Sequence, residues 1–333
     1  HQWRFVSEAL RDVPGIAIVQ SGSRGKTTSA FVRGSDSAQV LVLIDWIPVN
    51  DPYFGGVALE ELTTDNVERI EVVRGPQSPL YGSESMGGVI NIITRNGDPG
   101  VHPEARFEGG SFQTFRESAG LSGAAQKFDY SLTIARQDSE GQFDNDEHHE
   151  STLSGKGTYR FNAPTELSFV TRVHDSQIGI PFNSSFEPAP DRNQETSSAL
   201  LGMNLSHSGG EYWNPTVRAS FTRIDFLFED PEDFFPLSRH DSGILQATIQ
   251  NDFRFGKSST LSAGMELENR SINASDHNGE IVDLNDFEDD IYSFFAQNKY
   301  QSNRWIVTGG FRVDHHTSFG DAFNPRISAA FLP

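Results

Sequence analysis

The stretch Phe128-Asp129-Tyr130-Ser131-Leu132-Thr133-Ile134-Ala135 decides the fold. Phe128, Tyr130, Leu132 and Ile134 fall on one side of an extended chain, and Asp129, Ser131, Thr133 and Ala135 on the other. That period of two is the signature of a strand with one apolar face. The pattern recurs downstream. Leu245, Ala247 and Ile249 alternate with Gln246, Thr248 and Gln250; Leu261, Ala263, Met265 and Leu267 alternate with Ser262, Gly264, Glu266 and Glu268. Trp305, Val307, Phe311 and Val313 continue it. Tight turns fall near Ala125–Lys127, Asn162–Thr165, Ser208–Gly210, Gly256–Ser258 and Ser302–Asn303. Between them, long polar loops are expected near 138–150, 177–194, 229–241, 272–289 and 314–321. In an up-and-down meander this alternation puts every short turn on one rim and every long loop on the other, as in outer-membrane barrels. A soluble β-sandwich is the alternative, but its Greek-key crossings would scramble that order. Phe226, Phe228, Phe234 and Phe235 cluster near strand ends, where an interfacial aromatic girdle is expected.

Composition agrees. The chain has 26 Phe against 3 Met, a bias toward β-structure over a helical bundle. With 46 acidic and 26 basic residues the net charge is −20, which repels a phosphate backbone and argues against a nucleic-acid partner. There is no cysteine, so neither disulfides nor thiolate metal sites are available. No apolar run is long enough for a transmembrane helix, which leaves a transmembrane barrel open. The chain begins at His1 without an initiator Met or a signal peptide, and reads as a mature or truncated product.

Before residue 100 the texture differs. Phe5, Val6, Ala9, Leu10 and Val13 have the spacing of a short amphipathic helix, ended by Pro14-Gly15. Short β-like runs follow at 31–34, 41–45, 67–75 and 87–95, so this part is a small mixed α+β domain. Its segment 16–27, IAIVQSGSRGKT, looks like a phosphate loop and is not one. Such a loop needs glycine where Gln20 stands, and a helix after Gly25-Lys26-Thr27, where β-branched residues lead into Phe31-Val32-Arg33-Gly34. A nucleotide hydrolase is thereby set aside. An outer-membrane enzyme or adhesin also lacks support: there is no GxSxG elbow and no HExxH helix, so no catalytic residue is assigned.

The run Val67-Glu68-Arg69-Ile70-Glu71-Val72-Val73-Arg74-Gly75-Pro76 is followed by Leu80-Tyr81-Gly82 and by Gly87-Gly88-Val89-Ile90-Asn91-Ile92-Ile93-Thr94. Upstream lie Phe31-Val32-Arg33-Gly34, Leu41-Val42-Leu43-Ile44-Asp45 and Val49-Asn50-Asp51. These motifs, in this order, resemble the plug domain of TonB-dependent outer-membrane receptors, and the early barrel is most like the vitamin B12 (cobalamin) receptor type. The resemblance implies an α+β plug domain over 1–98 inside an antiparallel transmembrane β-barrel begun by 99–333. About a dozen strands are expected, whereas a plugged lumen goes with about 22, so the chain reads as a piece of a longer receptor. A split barrel closed by another chain is the alternative. Trp46 stands where the family usually has glycine after the Asp of LVLID, which puts the tight Asp-Gly turn in question. Arg33, Arg69 and Arg74 are expected to pair either with an acidic inner wall or within the plug.

What the resemblance implies about function is import without chemistry. A scarce large ligand, a corrinoid first and a ferric siderophore second, would bind at the cell surface of a Gram-negative bacterium. Energy would come from TonB, through a segment upstream of His1. Outer-membrane lipid would surround the barrel, and a surface lipoprotein is a further expected partner. The ligand is expected at the apical plug loops, with Lys26, Thr27 and Thr28 on one and Asn50, Asp51, Tyr53 and Phe54 on the other. Spans 138–150, 229–241 and 272–290 hold 6, 5 and 7 acidic residues against a single basic one, Arg239. Within the first, Asp144, Asp146 and Glu147 crowd oxygen donors as calcium requires, without full EF-hand spacing. The alternative is a solvated acidic loop. No other cofactor is expected.

Overall fold

The computed structural model describes residues 3–162, 164–183, 185–233, 235–277 and 281–331. The first hundred residues form the expected α+β unit. Helix α1 (Val6–Arg11) precedes the hairpin β1 (Ile16–Gln20) and β2 (Thr28–Val32). A second sheet has the order β4-β3-β6-β5, from β3 (Val40–Ile44), β4 (Ile47–Pro48), β5 (Val67–Arg74) and β6 (Gly88–Thr94), with β3 and β6 parallel. Strands β3 and β6 are apolar without alternation because both faces are covered. A short helix, α2 (Ser78–Tyr81), links β5 to β6.

The β3–β4 turn survives the missing glycine. Asp45 and Trp46 both take positive φ, 46° and 74°, as a two-residue hairpin demands. Side chains hold the strained pair in place. The Asp45 carboxylate accepts from Thr94 and from Lys156 Nζ (3.1 Å). Trp46 donates its backbone N–H to Asn91 Oδ1 (3.2 Å), stacks on Tyr81 at 6.3 Å and lies under Arg218 at 5.3 Å.

The remainder is one antiparallel sheet of twelve strands in sequence order. They are β7 (Gly100–Gly109), β8 (Phe115–Ala125), β9 (Phe128–Ser139), β10 (His148–Asn162), β11 (Thr165–Gly179), β12 (Asn193–His207), β13 (Trp213–Glu229), β14 (Leu237–Phe255), β15 (Ser259–His277), β16 (Ile281–Gln301), β17 (Trp305–His316) and β18 (Gly320–Phe331). Strands β7 and β18 pair only on one side, so the sheet is open. Its outer face carries Leu132, Phe169, Leu201, Ile249, Met265 and Ile327, all largely exposed. Asp129, Gln137, Thr152 and Thr196 point inward and are buried. Polar-in and apolar-out is the arrangement of a transmembrane barrel wall.

Two expectations need correcting. The stretches 272–289 and 314–321 are not long loops. Strands β15 and β16 stay paired up to His277 and Ile281, and β17 and β18 are joined by a three-residue turn. The sequence there shows no sustained apolar–polar alternation, yet backbone pairing continues. Expected girdle residues also lie on the other face. Phe226 and Phe228 face inward, Phe234 lies outside the described residues, and outward-facing aromatics such as Phe128, Tyr130, Tyr159, Phe161, Trp213 and Trp305 gather at the short-turn end.

The plug sits against the inner face of this sheet. Its core of Val6, Leu10, Val32, Val42, Ile44, Ile90 and Ile92 continues onto Val170 and Leu200 of the wall. A β-carbon added at Gly202 of the wall would collide with Ile47 Cδ1, so the plug inserts a knob where the wall has no side chain. The interface is therefore partly apolar.

Candidate functional site

Both apical loops stand at the long-loop rim, as expected, but their side chains divide into struts and contacts. The loop joining β1 to β2 reaches under the 140–147 connection. Lys26 is buried there, its ammonium donating to the Gly179 carbonyl and lying 3.3 Å from Asp146 Oδ1. Ser23 Oγ donates to the same oxygen at 2.5 Å. Burial lowers the Lys26 pKa, and Asp146 opposes that shift. Gly25 beside it has φ +81°, and an added β-carbon would sit 2.8 Å from the His148 ring. Thr28 is buried too; its N–H donates to Glu60 Oε2 (2.7 Å) and its hydroxyl to the Lys26 carbonyl (2.9 Å). Only Thr27 of the three is exposed.

The second loop is splinted by Asn50, whose Oδ1 accepts from Val42 N (2.8 Å) while Nδ2 donates to Val40 O (3.0 Å) and Gly55 O (3.2 Å). Asp51 joins plug to wall. It sits 2.8 Å from His240 Nε2, and accepts from Ser242 Oγ (2.8 Å) and Tyr53 N (2.9 Å). These bonds turn the next two rings outward: Tyr53 is 45% exposed and Phe54 59%. His240 is clasped between the Tyr53 and Phe226 rings at 4.5 and 4.7 Å, with Phe54 edge-on at 4.8 Å. The result is an aromatic patch with a fixed imidazole at its centre. Sequence reading missed His240 and assigned Phe226 to lipid, although their shared register across β13 and β14 puts both on one face.

Beneath the patch a cavity of about 380 Å³ runs between plug and wall. Thr27, Asp51, Phe54 and Phe226 line it, with Glu60 and Glu61 from the 3-10 turn Leu59–Glu61 and Arg172 and Thr196 from the wall. Burial pushes Glu60 up to about 8 and Glu61 up to about 7; Arg172 draws Glu61 back only in part. The volume and the mixed lining are those of a small-molecule site. None of these wall residues carries a motif, and only the fold brings them together.

The expected calcium donors are arranged otherwise. Asp146 faces the Lys26 ammonium at 3.3 Å. Among the described residues no three His, Asp or Glu side chains gather as metal ligands, Asp144, Asp146 and Glu147 included. Asn145 between them donates to the Ala189 (2.7 Å) and Arg192 (2.9 Å) carbonyls, tying the 140–147 and 180–192 connections together.

Plug–wall ion pairs run in both directions: Arg4 of the plug meets Glu108 of the wall (2.7 Å), as Lys26 meets Asp146, while other pairs put the acid on the plug. Asp65 meets Arg116 (2.5 Å), Glu84 meets Arg270 (2.7 Å) and Asp45 meets Lys156 (3.1 Å). Arg69 and Arg74 bond within the plug: Arg69 pairs with Glu71 (2.8 Å), and Arg74 donates to the Pro14 carbonyl (2.5 Å). Arg69 lies on β5, the edge strand of its sheet, and is half exposed.

A domain held by ion pairs against the polar face of an outwardly apolar sheet defines a plugged transmembrane barrel. Residues 2–89 match the TonB-dependent receptor plug domain and residues 108–333 match the TonB-dependent receptor-like β-barrel. The chain belongs to the TonB-dependent receptor family. Three solved structures show the same fold. The siderophore receptor PirA from Acinetobacter baumannii has 16% identity and a TM-score of 0.77, over 99% of this chain and 57% of that one. FpvA of P. aeruginosa, solved with heterologous pyoverdines, has 16% and 0.81 over 99% and 53%. The ferric yersiniabactin uptake receptor FyuA from Yersinia pestis has 17% and 0.76 over 99% and 58%. The chain thus spans a little over half the length of these structures.

Proposed function

We propose that this chain forms the plug and front wall of a Gram-negative outer-membrane receptor that captures a metal chelate at its outer rim. A ferric siderophore is the favoured ligand, imported without chemical change and driven through TonB. The observation that carries this reading is the cavity of about 380 Å³ opening under an exposed aromatic patch at the plug apex. Rings give a chelate's organic shell a surface to stack on, while carboxylates, hydroxyls and a guanidinium below supply orienting polar contacts. Likeness to a siderophore receptor and to a ferric yersiniabactin uptake receptor adds support for a ferric chelate over the corrinoid that the motifs first brought forward.

The test is uptake. Cells lacking their own receptors and carrying the intact protein are given iron-55 chelates of hydroxamate, catecholate and mixed types, and cobalt-57 cobalamin in parallel. Accumulation of one ferric chelate, abolished by a protonophore or by loss of TonB, is the expected outcome. Accumulation of cobalamin alone would restore the corrinoid reading, and uptake indifferent to the proton gradient would refute the transport mechanism.

A further inference from the structure

The chamber has an unusual charge balance. Glu60, Glu61 and Asp51 line it, and among the described residues Arg172 is the only basic one that does. That guanidinium is already committed, donating to the Glu61 backbone carbonyl (2.5 Å) and to Ser198 Oγ (3.4 Å). Asp51 is committed to His240 and Ser242. Glu60 is buried, accepts the Thr28 backbone N–H, and has no ion-pair partner among the described residues. A buried carboxylate without a counter-ion is costly, which is why it keeps its proton to about pH 8. Above the chamber, Phe54 and Phe226 close in an edge-to-face pair at 5.5 Å, so aromatic surface roofs it. The approach is acidic as well, in the spans around 138–150 and 229–241. An anionic group would be repelled along this whole path, whereas a cation gains from the rings, the carboxylates and the approach together.

We propose that this chamber selects ligands bearing a cationic, hydrogen-bond-donating arm, a protonated amine or a guanidine on a short apolar stem, which docks against Glu60 and Glu61 beneath Phe54 and Phe226. The stem would lie along Val49, Val57, Leu200 and Ile224, which form the apolar side of the cavity. The arm supplies the positive charge that Glu60 lacks and displaces its proton. This deepens the apex reading and rests on it, because it assigns that site the charge of its ligand.

The test uses one linear ferric trihydroxamate with three tail ends: a free primary ammonium, the acetylated amine, and the succinylated amine. Binding to the intact protein in detergent is measured by calorimetry, with n-butylammonium and n-butanol as chelate-free probes. The ammonium chelate should bind at least tenfold tighter than the acetylated one, and the succinylated one more weakly still. The preference should vanish in the Glu60→Gln, Glu61→Gln double variant. Equal affinities, or tightest binding of the succinylated form, overturn the proposal. If no chelate binds, a tenfold preference for n-butylammonium over n-butanol, lost in the double variant, upholds the chamber while the metal-chelate reading fails. Lack of that preference overturns the chamber as well. Should the double variant misfold, Ser198→Phe fills the cavity from the wall instead. A charge preference that persists with the chamber filled would also overturn the assignment.

Discussion

Replacing Lys26 by methionine tests whether the first apical loop is a strut. The substitution keeps the stem and removes the ammonium, leaving a fully buried Asp146 carboxylate with Ser23 Oγ (2.5 Å) and Gln142 N (2.8 Å) as donors. Removing one partner of a buried pair costs roughly 3–5 kcal/mol. The two surviving charge-assisted bonds soften that, so about 2–3 kcal/mol is expected here. Replacing both charges, Lys26→Met with Asp146→Leu, removes the orphaned carboxylate and should return the plug to within about 1 kcal/mol of the parent, because a buried ion pair and an apolar pair of similar volume are often equivalent. The single Asp146→Leu change strands the Lys26 ammonium and should cost about as much as Lys26→Met. The coupling across the double-mutant cycle is therefore several kcal/mol in favour of the pair changed together. Because the chain has no cysteine, a fluorophore at Ser21→Cys reports plug unfolding in urea without competing labels. Additive single and double effects, or a Lys26→Met cost below about 0.5 kcal/mol, would refute the strut.

Three further outcomes follow from the geometry. Gly202→Ala drives a β-carbon into Ile47 and should destabilise plug seating by about 1–3 kcal/mol, recovered when Ile47→Ala is added; urea melts of the four proteins check this. Met265→Arg, on the lipid face and 62% exposed, should cost about 2–4 kcal/mol of barrel insertion, while Phe226→Ser on the inner face should leave folding into vesicles unchanged. Glu60 holds its proton to about 8 when folded and loses it near the ordinary carboxylate value when unfolded, so stability falls as pH rises between those values. Glu60→Gln should flatten that fall in plug melts between pH 5 and 9, with Glu61, Asp51, Arg172 and His174 around it unchanged.

The sequence disclosed the wall because alternation is a local property, and the β9 run FDYSLTIA already carries it. It disclosed the plug because glycines and apolar runs recur in a recognisable order. The girdle was misplaced because richness in Phe says nothing of parity, and parity sends Phe226 inward with His240. The 272–289 stretch read as a loop because backbone pairing leaves no mark in a polar sequence. The layout of the apical loops was half legible. Tyr53 and Phe54 are exposed at the apex, but Lys26, Thr28 and Asn50, equally expected at the apical loops, proved to be internal braces. What separates the two groups is their partners, Gly179, Asp146 and Val40 among them, and those are fixed by tertiary packing alone.

The central claim is that ligand is held at the plug apex by the outward rings. Its most direct measurement is the affinity of the transported chelate for the intact protein against the Tyr53→Ala, Phe54→Ala double variant, with Asp51 and His240 left in place. Losing two stacked rings should weaken binding by about 30-fold or more, at roughly 1 kcal/mol or above for each ring, with unfolding midpoints unchanged. An affinity within twofold of the parent would contradict the account and move the ligand away from the apex.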